Sequence, residues 1–424
     1  MKRGTFQLMK SVNKSLVLNK IRTNQPISRA QIAKDTKLTP PTVSSIVREL
    51  LAEDLVVESS LGESQGGRKP TMLLINQDAL CVIGVDAGAD WIKCFVSNLS
   101  GKIVARVEPK SIKRPITEAD FLADLIEVIH SALDSLSKPD KVMGIGVAMH
   151  GVVDVENGLS LVAPNLGLRD IPIMEALEKE FEMIVKVEND VRAMALGESW
   201  LNQLDHIGSM LMVNMGSGVG AGLVIDGKLY HGAADLAGEV GHMTIDLNGD
   251  VCTCGNKGCF QTFASGDAIV KQAKSFIKQA LQQGNQIDPS RYSAVQLTED
   301  LQALIQQNAE DYQQFLDADI TFEDIHNKAI KGDEICVHLL RKIGEIIGIA
   351  LTNLVHVINP DLIVLGGSVS KAKAFILPVI TEMIQQRGLT KEAKQTKIAV
   401  TAFGDDATLM GAVSLLLVEL FETV

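Results

Sequence analysis

The sequence predicts a mixed α/β protein of two lobes, preceded by a small helical domain. Charge is unevenly distributed: residues 1–75 carry 12 Lys and Arg against 6 Asp and Glu, and the remainder carries 28 against 46. From residue 80 onward, strand-like apolar runs alternate with amphipathic helical segments, which is typical of a sheet covered by helices. The length of 424 residues is enough for two or three domains.

Composition excludes several classes of protein. Apolar residues make up 46% of the chain, yet no apolar run reaches the roughly 18 residues that a membrane span needs. The first residues, "MKRGTFQLMKSVNK", contain no apolar signal region, and six cysteines are too few for a disulfide framework. We therefore expect a cytoplasmic protein with no membrane association.

Residues 1–78 are predicted to form a winged helix-turn-helix domain. Ser28 and Thr39 each precede a helical segment and are suitable N-caps, and Pro40 suits the first position of the second helix. The segments "DLVVESS" and "PTMLLIN" are strand-like and flank a glycine-rich loop, "LGESQGGRKP", which would form the wing.

This domain is predicted to bind DNA, because a basic end on an acidic body indicates contact with a polyanion. Short polar and basic side chains around the second helix are suited to base edges and phosphates. The candidates are Ser28, Arg29, Thr39, Thr42, Ser44, Ser45 and Arg48, with Arg68 and Lys69 in the wing. Two alternatives stay open, namely a chance clustering of charge and a helical oligomerisation module.

The segment "GEVGHMTIDLNGDVCTCGNKGC" places His242, Cys252, Cys254 and Cys259 within eighteen residues. Zn²⁺ accepts tetrahedral sets of thiolate and imidazole ligands, so the pattern predicts a zinc site. Four protein ligands leave no open position for a water molecule. We therefore expect one structural zinc ion per chain, although free cysteines in a glycine-rich loop are the alternative.

The order of these elements resembles that of the ROK family, which contains repressors, open reading frames and kinases. The resemblance covers almost the whole chain, and its most specific motif is Gly241-His242, nine residues, then C-x-C-G-x-x-G-C. The N-terminal domain and "APNLGLRDIPI" are similar to the xylose-repressor branch. The resemblance implies an actin-like, ribonuclease-H-like fold, with a first lobe at 79–193, completed by 402–424, and a second at 194–401.

The same resemblance implies a sugar-binding site, which family members form from a G-E-x-G-H stretch, the Asn-Asp of an "END" segment and the metal-bound histidine. Carried over to this chain, the candidates are Asn189, Asp190, Glu239 and His242, with Gln261 at the end of the cysteine motif. Asn165 in "APNLG" is a further candidate. Buried sugar hydroxyls need such carboxylate and amide partners. The family usually has Glu where this chain has Gln261, and this difference bears on which sugar is bound.

Two functions are compatible with the resemblance. One is an ATP-dependent sugar kinase with an accessory DNA-binding domain, in which Asp190 would be the catalytic base. The kinases carry D-x-G-G-T in the first phosphate loop, whereas this chain has Ala89 and Asp90 in place of the second glycine and the threonine. A carboxylate beside a phosphate is repulsive, so we expect a degenerate nucleotide site and no catalytic residue.

The other function, which we predict, is a sugar-responsive repressor of carbohydrate-utilisation genes. A homodimer, or a tetramer, would bind a palindromic operator. A small sugar effector in the cleft between the lobes would change the lobe angle, and residues 70–80 would transmit the change. The sequence leaves open the effector, the operator and whether sugar releases or promotes DNA binding.

Overall fold

The structure is a computed structural model that describes residues 12–61, 70–204, 206–282 and 298–421. It divides into two compact units, Met1–His206 together with Thr408–Val424, and Ile207–Ala407. The lobe boundary expected at 193/194 falls inside a helix, Asp190–Leu201. Because a helix is one continuously hydrogen-bonded rod, the division between units lies after it, at His206.

The first unit begins with a small domain of helices and a three-stranded sheet in the order β1-β3-β2. Its elements are α1 (Val12–Asn24), β1 (Ile27–Ser28), α2 (Arg29–Thr36), α3 (Pro40–Ala52), β2 (Val56–Leu61) and β3 (Thr71–Ile75). Helix α3 buries one apolar face, which consists of Val43, Ile46, Val47 and Leu50. The wing residues Arg68 and Lys69 lie outside the described residues.

The rest of the first unit is built on a six-stranded sheet in the order β12-β8-β4-β5-β6, with β7 paired to β5. Its strands are β4 (Cys81–Ala87), β5 (Trp91–Asn98), β6 (Ile103–Arg106), β7 (Lys110–Ser111), β8 (Val142–Met149) and β12 (Ile184–Asn189). A small antiparallel sheet, which the sequence did not reveal, comprises β9 (Val152–Asp154), β10 (Leu159–Ala163) and β11 (Leu168–Ile171). The helices are α4 (Glu118–Asp134), α5 (Ile173–Phe181), α6 (Asp190–Leu201) and α15 (Ala407–Phe421).

Helix α15 lies against this sheet at positions where the strands carry glycine. A Cβ atom at Gly146 would be 1.9 Å from the carbonyl oxygen of Ala412, and one at Gly84 would be 2.7 Å from Val413 Cγ1. Any larger residue there would push the helix off the sheet. The C-terminal helix is thus an integral part of the first unit.

The second unit contains a five-stranded sheet in the order β15-β14-β13-β16-β17. Its strands are β13 (Ser209–Met215), β14 (Val219–Ile225), β15 (Lys228–Tyr230), β16 (Leu362–Gly366) and β17 (Lys397–Val400). Its helices are α7 (Gln261–Ala264), α8 (Gly266–Leu281), α9 (Glu299–Gln307), α10 (Ala309–Asp317), α11 (Phe322–Ile330), α12 (Glu334–Ile358), α13 (Lys373–Arg387) and α14 (Lys391–Lys394). Among the described residues of the chain, none of the helices has the length and apolarity required to span a bilayer.

Candidate functional site: a thiol and imidazole cluster and a carboxylate-bearing helix start

The first group of candidate residues lies where strand β12 ends and helix α6 begins. Asn189 is the N-cap: its Oδ1 accepts hydrogen bonds from the backbone N–H groups of Val191 and Arg192, both at 3.0 Å. Its Nδ2 donates to the carbonyl oxygen of Gly151 at 2.9 Å and to Asp190 Oδ1 at 3.0 Å. These four bonds use the full capacity of the amide, so Asn189 fixes both the helix start and the orientation of Asp190.

Asp190 is half-buried in the first turn of α6, where the helix dipole favours a carboxylate. Its Oδ1 also accepts from the backbone N–H of Val191 at 2.9 Å. Burial raises the pKa of the nearby Asp86 to about 7; Lys93 opposes this effect and the charge of Asp190 adds to it. Two carboxyl groups therefore influence each other at this end of the sheet.

Asn165 is exposed in the turn between β10 and β11. This turn lies close to Gly151, because a Cβ atom there would be 3.0 Å from Pro164 Cδ and 2.1 Å from the carbonyl oxygen of Val162. Gly151 in turn accepts the hydrogen bond from Asn189. The fold thus brings the turn of Asn165 towards the start of α6.

The neighbouring Glu188 has a structural role that sequence reasoning did not identify. It is 1% exposed, and its Oε1 accepts from Arg192 Nε at 2.8 Å and from the backbone N–H of Asn189 at 2.7 Å. A glutamate and an arginine four residues apart on a helix start can form such a pair. The pair fixes the backbone at the point from which Asn189 and Asp190 project.

In the second unit, the four predicted metal ligands lie together, with one ligand atom of each residue within 4.8 Å of every other. Cys252 Sγ is 3.7 Å from His242 Nδ1, and Cys254 Sγ is 3.7 Å from Cys259 Sγ. For a tetrahedral zinc ion, Zn–S and Zn–N bonds of about 2.3 and 2.05 Å give ligand separations of about 3.8 Å (S to S) and about 3.6 Å (S to N). The cluster therefore has the spacing that a tetrahedral metal ion requires, and it could hold one.

The ionisation of the thiols is consistent with a metal-binding cluster. Burial raises the pKa of the Cys252 thiol, but hydrogen bonds from Cys254, His242 and Cys259 outweigh it and lower the pKa to about 6. Burial and the neighbouring thiols of Cys254 and Cys252 raise the pKa of Cys259 to about 12. Thiols this close cannot all be thiolates without a cation between them.

Glycines make the loop that carries these ligands possible. Gly258 has a φ of +64°, and a Cβ atom there would be 1.5 Å from the carbonyl oxygen of Asp246. Backbone hydrogen bonds close the loop on both sides, from Ile245 N to Gly258 O at 2.7 Å and from Cys252 N to Asn256 O at 2.7 Å. The loop is thus held shut by its own backbone, with the thiols turned towards one another.

Glu239 and Gln261 flank the cluster. Glu239 Oε2 is 3.8 Å from His242 Nε2, the ring nitrogen that does not face Cys252. Gln261 Nε2 donates to Cys252 Sγ at 3.2 Å and lies 3.4 Å from Thr253 Oγ1. The amide of Gln261 therefore faces the thiols, a contact that its spacing in the sequence did not reveal.

The DNA-binding candidates of the first unit divide into helix caps and exposed side chains. Ser28 Oγ accepts from Gln31 N at 3.2 Å and Thr39 Oγ1 from Thr42 N at 3.4 Å, which confirms both predicted N-caps. Ser45 and Arg48 are exposed on α3, and Ser44 is half-buried. Arg29 is paired with Glu58 at 2.9 Å, so a phosphate would have to compete with this carboxylate.

The loop with Ala89 and Asp90 is closed by Arg114, which sequence reasoning did not single out. Arg114 donates to the carbonyl oxygen of Ala89 at 2.6 Å and to Asp90 Oδ1 at 2.7 Å. The carbonyl oxygen of Asp90 accepts from Ile112 N at 2.8 Å. The carboxylate that replaces the threonine of the kinases is thus paired within the protein.

These features define a class of protein in which a winged helix-turn-helix domain is joined to a two-unit α/β body. The chain belongs to the ROK family, whose model matches residues 82–419. The xylose repressor of Caldicellulosiruptor bescii is 32% identical over 98% of this chain and 97% of that protein.

Solved structures agree with this assignment. A ROK family transcriptional regulator described as a homologue of the Escherichia coli MLC protein matches 97% of this chain and 96% of that chain, with a TM-score of 0.78 and 26% identity. A ROK family glucokinase from Streptomyces griseus, in complex with glucose and AMPPNP, matches 79% of this chain and 98% of that chain, with a TM-score of 0.65 and 25% identity. The regulator match includes the N-terminal region, whereas the kinase match leaves about a fifth of this chain uncovered.

Proposed function

We propose that this chain is a sugar-responsive transcriptional repressor of carbohydrate-utilisation genes. Two observations carry the proposal. The chain has a capped helix-turn-helix domain, and over nearly its whole length it is similar to a protein named as a xylose repressor and to a solved transcriptional regulator. A homodimer on a palindromic operator would present two copies of α3, and such a repressor acts where the chromosome lies, in the cytoplasm. The exposed Ser45 and Arg48 would contact bases, with Arg68 and Lys69 on phosphates.

The test selects a binding duplex from a random-sequence pool with the full-length chain and measures its affinity with and without D-xylose, D-glucose or N-acetylglucosamine. We expect sequence-specific binding and a shift with at least one of these sugars. Arg48→Ala should weaken specific binding by about 1–3 kcal/mol if the side chain reads a base. The matched control is Arg169→Ala, an exposed arginine on β11, which should leave binding unchanged. Equal weakening by both variants would mean that net charge, not α3, determines binding.

We propose that Asn165, Asp190, Glu239 and His242 contact the sugar hydroxyls. Asn189 would act by orienting Asp190, because its amide makes all four of its hydrogen bonds within the protein. Gln261 remains a candidate sugar contact, although its Nε2 already donates to Cys252. The support is chemical: exposed or half-buried carboxylates and amides are the usual partners of vicinal hydroxyls. Calorimetry of Asn165→Ala and Glu239→Gln with the responding sugar tests these assignments.

We propose that the cluster of His242, Cys252, Cys254 and Cys259 holds one structural zinc ion per chain. The 3.7 Å separations and the S₃N donor set support zinc over harder cations. The four ligands would fill the shell, so the ion would hold the loop and leave Glu239 in place beside His242. Metal analysis of protein purified without chelator should give one equivalent; Cys252→Ser should lower this value, and a metal-free wild type would refute the proposal.

We propose, finally, that the chain does not transfer phosphate to its sugar. The support is the Asp90 carboxylate in the first phosphate loop, held there by Arg114. Sustained ATP consumption with the responding sugar, abolished by Asp190→Asn, would instead identify a kinase, for which turnover is typically about 1–100 s⁻¹.

A further inference from the structure

The small N-terminal domain is anchored to the body by a cation over two aromatic rings. Arg22 projects from α1 and is 8% exposed. Its guanidinium carbon lies 4.0 Å from the centroid of the Trp200 ring and 5.7 Å from that of Phe421. Arg22 Nε also donates to Asn19 Oδ1 at 3.0 Å, which orients the guanidinium plane.

Both rings are buried and touch each other. Trp200 is 4% exposed and Phe421 is fully buried, and their centroids are 5.7 Å apart. A buried arginine over a tryptophan face is the most favourable geometry for a cation–π contact, because water does not screen it. We call Arg22, Trp200 and Phe421 the aromatic clamp.

The clamp and the proposed sugar contact lie at opposite ends of one helix. Helix α6 begins with Asp190 and has Trp200 in its last turn. Ten residues at about 1.5 Å per residue place the two side chains about 15 Å apart along a single rigid rod. A displacement of the helix start therefore displaces the tryptophan ring.

The second ring is connected to α6 by direct backbone packing. A Cβ atom at Gly197 would be 2.8 Å from the backbone nitrogen of Gly411, and one at Gly411 would be 2.3 Å from the carbonyl carbon of Ala193. Helices α6 and α15 therefore touch without intervening side chains. Phe421 at the end of α15 must move together with Trp200 at the end of α6.

We propose that Arg22 is a positioning residue that couples sugar binding at the start of α6 to the orientation of the DNA-binding domain. It contacts no sugar and need not contact DNA. The sequence-based expectation assigned this role to the linker at residues 70–80; the aromatic clamp provides a second connection, through α1. This inference rests on the proposed function, because it requires a sugar effect on operator affinity.

The experiment compares full-length wild type with Arg22→Met, which keeps side-chain length and apolar volume but removes the cation. The matched control is Lys20→Met, on the same helix, whose ammonium pairs with Asp35 inside the small domain at 2.9 Å. The probes are the duplex selected by the wild type and whichever of D-xylose, D-glucose or N-acetylglucosamine shifts its binding. For each protein, the operator dissociation constant is measured with and without sugar, and the sugar dissociation constant without DNA.

In the wild type, allosteric coupling of ordinary size makes the two operator constants differ by about 5–150-fold. Because the linker at residues 70–80 remains in place, Arg22→Met should bring the ratio closer to one by about threefold or more, while Lys20→Met keeps the wild-type ratio. The sugar dissociation constant should not change in either variant. A variant that had lost its fold would bind sugar more weakly, so this measurement tells loss of coupling from loss of fold. Arg22→Lys, which retains a cation, should restore part of the ratio.

A second variant covers the case in which Arg22→Met disrupts the small domain. Phe421→Leu alters the clamp from the body side and should also reduce the ratio, without a change in the DNA-binding domain itself. If Arg22→Met and Phe421→Leu both keep the wild-type ratio, the inference is overturned. If the wild type itself shows no sugar effect, the proposed function fails instead.

Discussion

Replacing Gln261 by methionine tests whether this residue serves the thiol cluster or the sugar. Gln261 Nε2 donates a hydrogen bond to Cys252 Sγ at 3.2 Å. A thiolate can only accept hydrogen bonds, so this contact needs a donor on residue 261. Methionine keeps the length of the side chain and removes the donor. A hydrogen bond to a charged group is worth about 1.5–3 kcal/mol, and since 1.4 kcal/mol is a factor of ten, metal affinity should fall by about 10–150-fold. Partners of metal ligands in other sites have effects of similar size.

The assay is zinc competition between the full-length chain and a chromophoric chelator. Thr253→Val is the control for the neighbouring hydroxyl, which lies 3.4 Å from Gln261 Nε2 and 4.0 Å from Cys252 Sγ. Since a contact at that length is weaker than the 3.2 Å bond from Gln261, Thr253→Val should lower zinc affinity less than Gln261→Met does. Gln261→Glu, which introduces the residue usual in the family, should also weaken zinc binding, since a carboxylate cannot donate. Wild-type zinc affinity in Gln261→Met, together with weaker sugar binding, would refute the reasoning and return Gln261 to the sugar.

Three further predictions follow from single residues. Asp190→Asn keeps an acceptor for Val191 N but loses the charge, so sugar affinity should fall by about 10–150-fold, a loss of about 1.5–3 kcal/mol; calorimetry should show this, and mobility shifts should show unchanged operator binding without sugar. Burial raises the pKa of Asp86 from 3.8 to about 7, so the folded protein holds this proton more tightly and loses stability as pH rises from about 4 to about 7. Asp86→Asn should flatten that decline in denaturation curves and be more stable than wild type at pH 8; a steeper decline would contradict the assignment. Gly258→Ala should lower metal stoichiometry, because its Cβ would be 1.5 Å from the carbonyl oxygen of Asp246, whereas Gly255→Ala, where the same atom would meet no neighbour, should retain more of the metal.

The features that the sequence predicted correctly are those determined by neighbours in the chain. The caps at Ser28 and Thr39 are examples, because a cap bonds to a backbone N–H only a few residues away. The thiol cluster is another, since three of its ligands lie within eight residues and the glycines that fold them together lie among them. The α/β class was predicted from the alternation of strand-like and helical segments, which is also a pattern of neighbouring residues.

The features that the sequence did not reveal depend on contacts between distant segments. Asn189 donates to Gly151, 38 residues earlier, and Arg114 pairs with Asp90, 24 residues earlier. Neither partner can be chosen from local spacing, because many polar residues lie at comparable distances along the chain. The short strands β9 to β11 were missed because a sheet this small has little apolar alternation to detect.

The glycines at the α6–α15 contact show why the proposed coupling depends on Arg22 and not on the body alone. Protein interiors are close-packed, and two helices that meet backbone to backbone at Gly197 and Gly411 have no side chain that can rotate to absorb a shift. A change at Asp190 therefore reaches Trp200 almost undiminished. Arg22 lies 4.0 Å from the Trp200 ring centroid and is tied to α1 through Asn19, so a shift of the ring is passed to α1. A rigid body joined to the small domain through such a contact can hold that domain in two orientations, and sugar shifts their populations only by binding one of them more tightly.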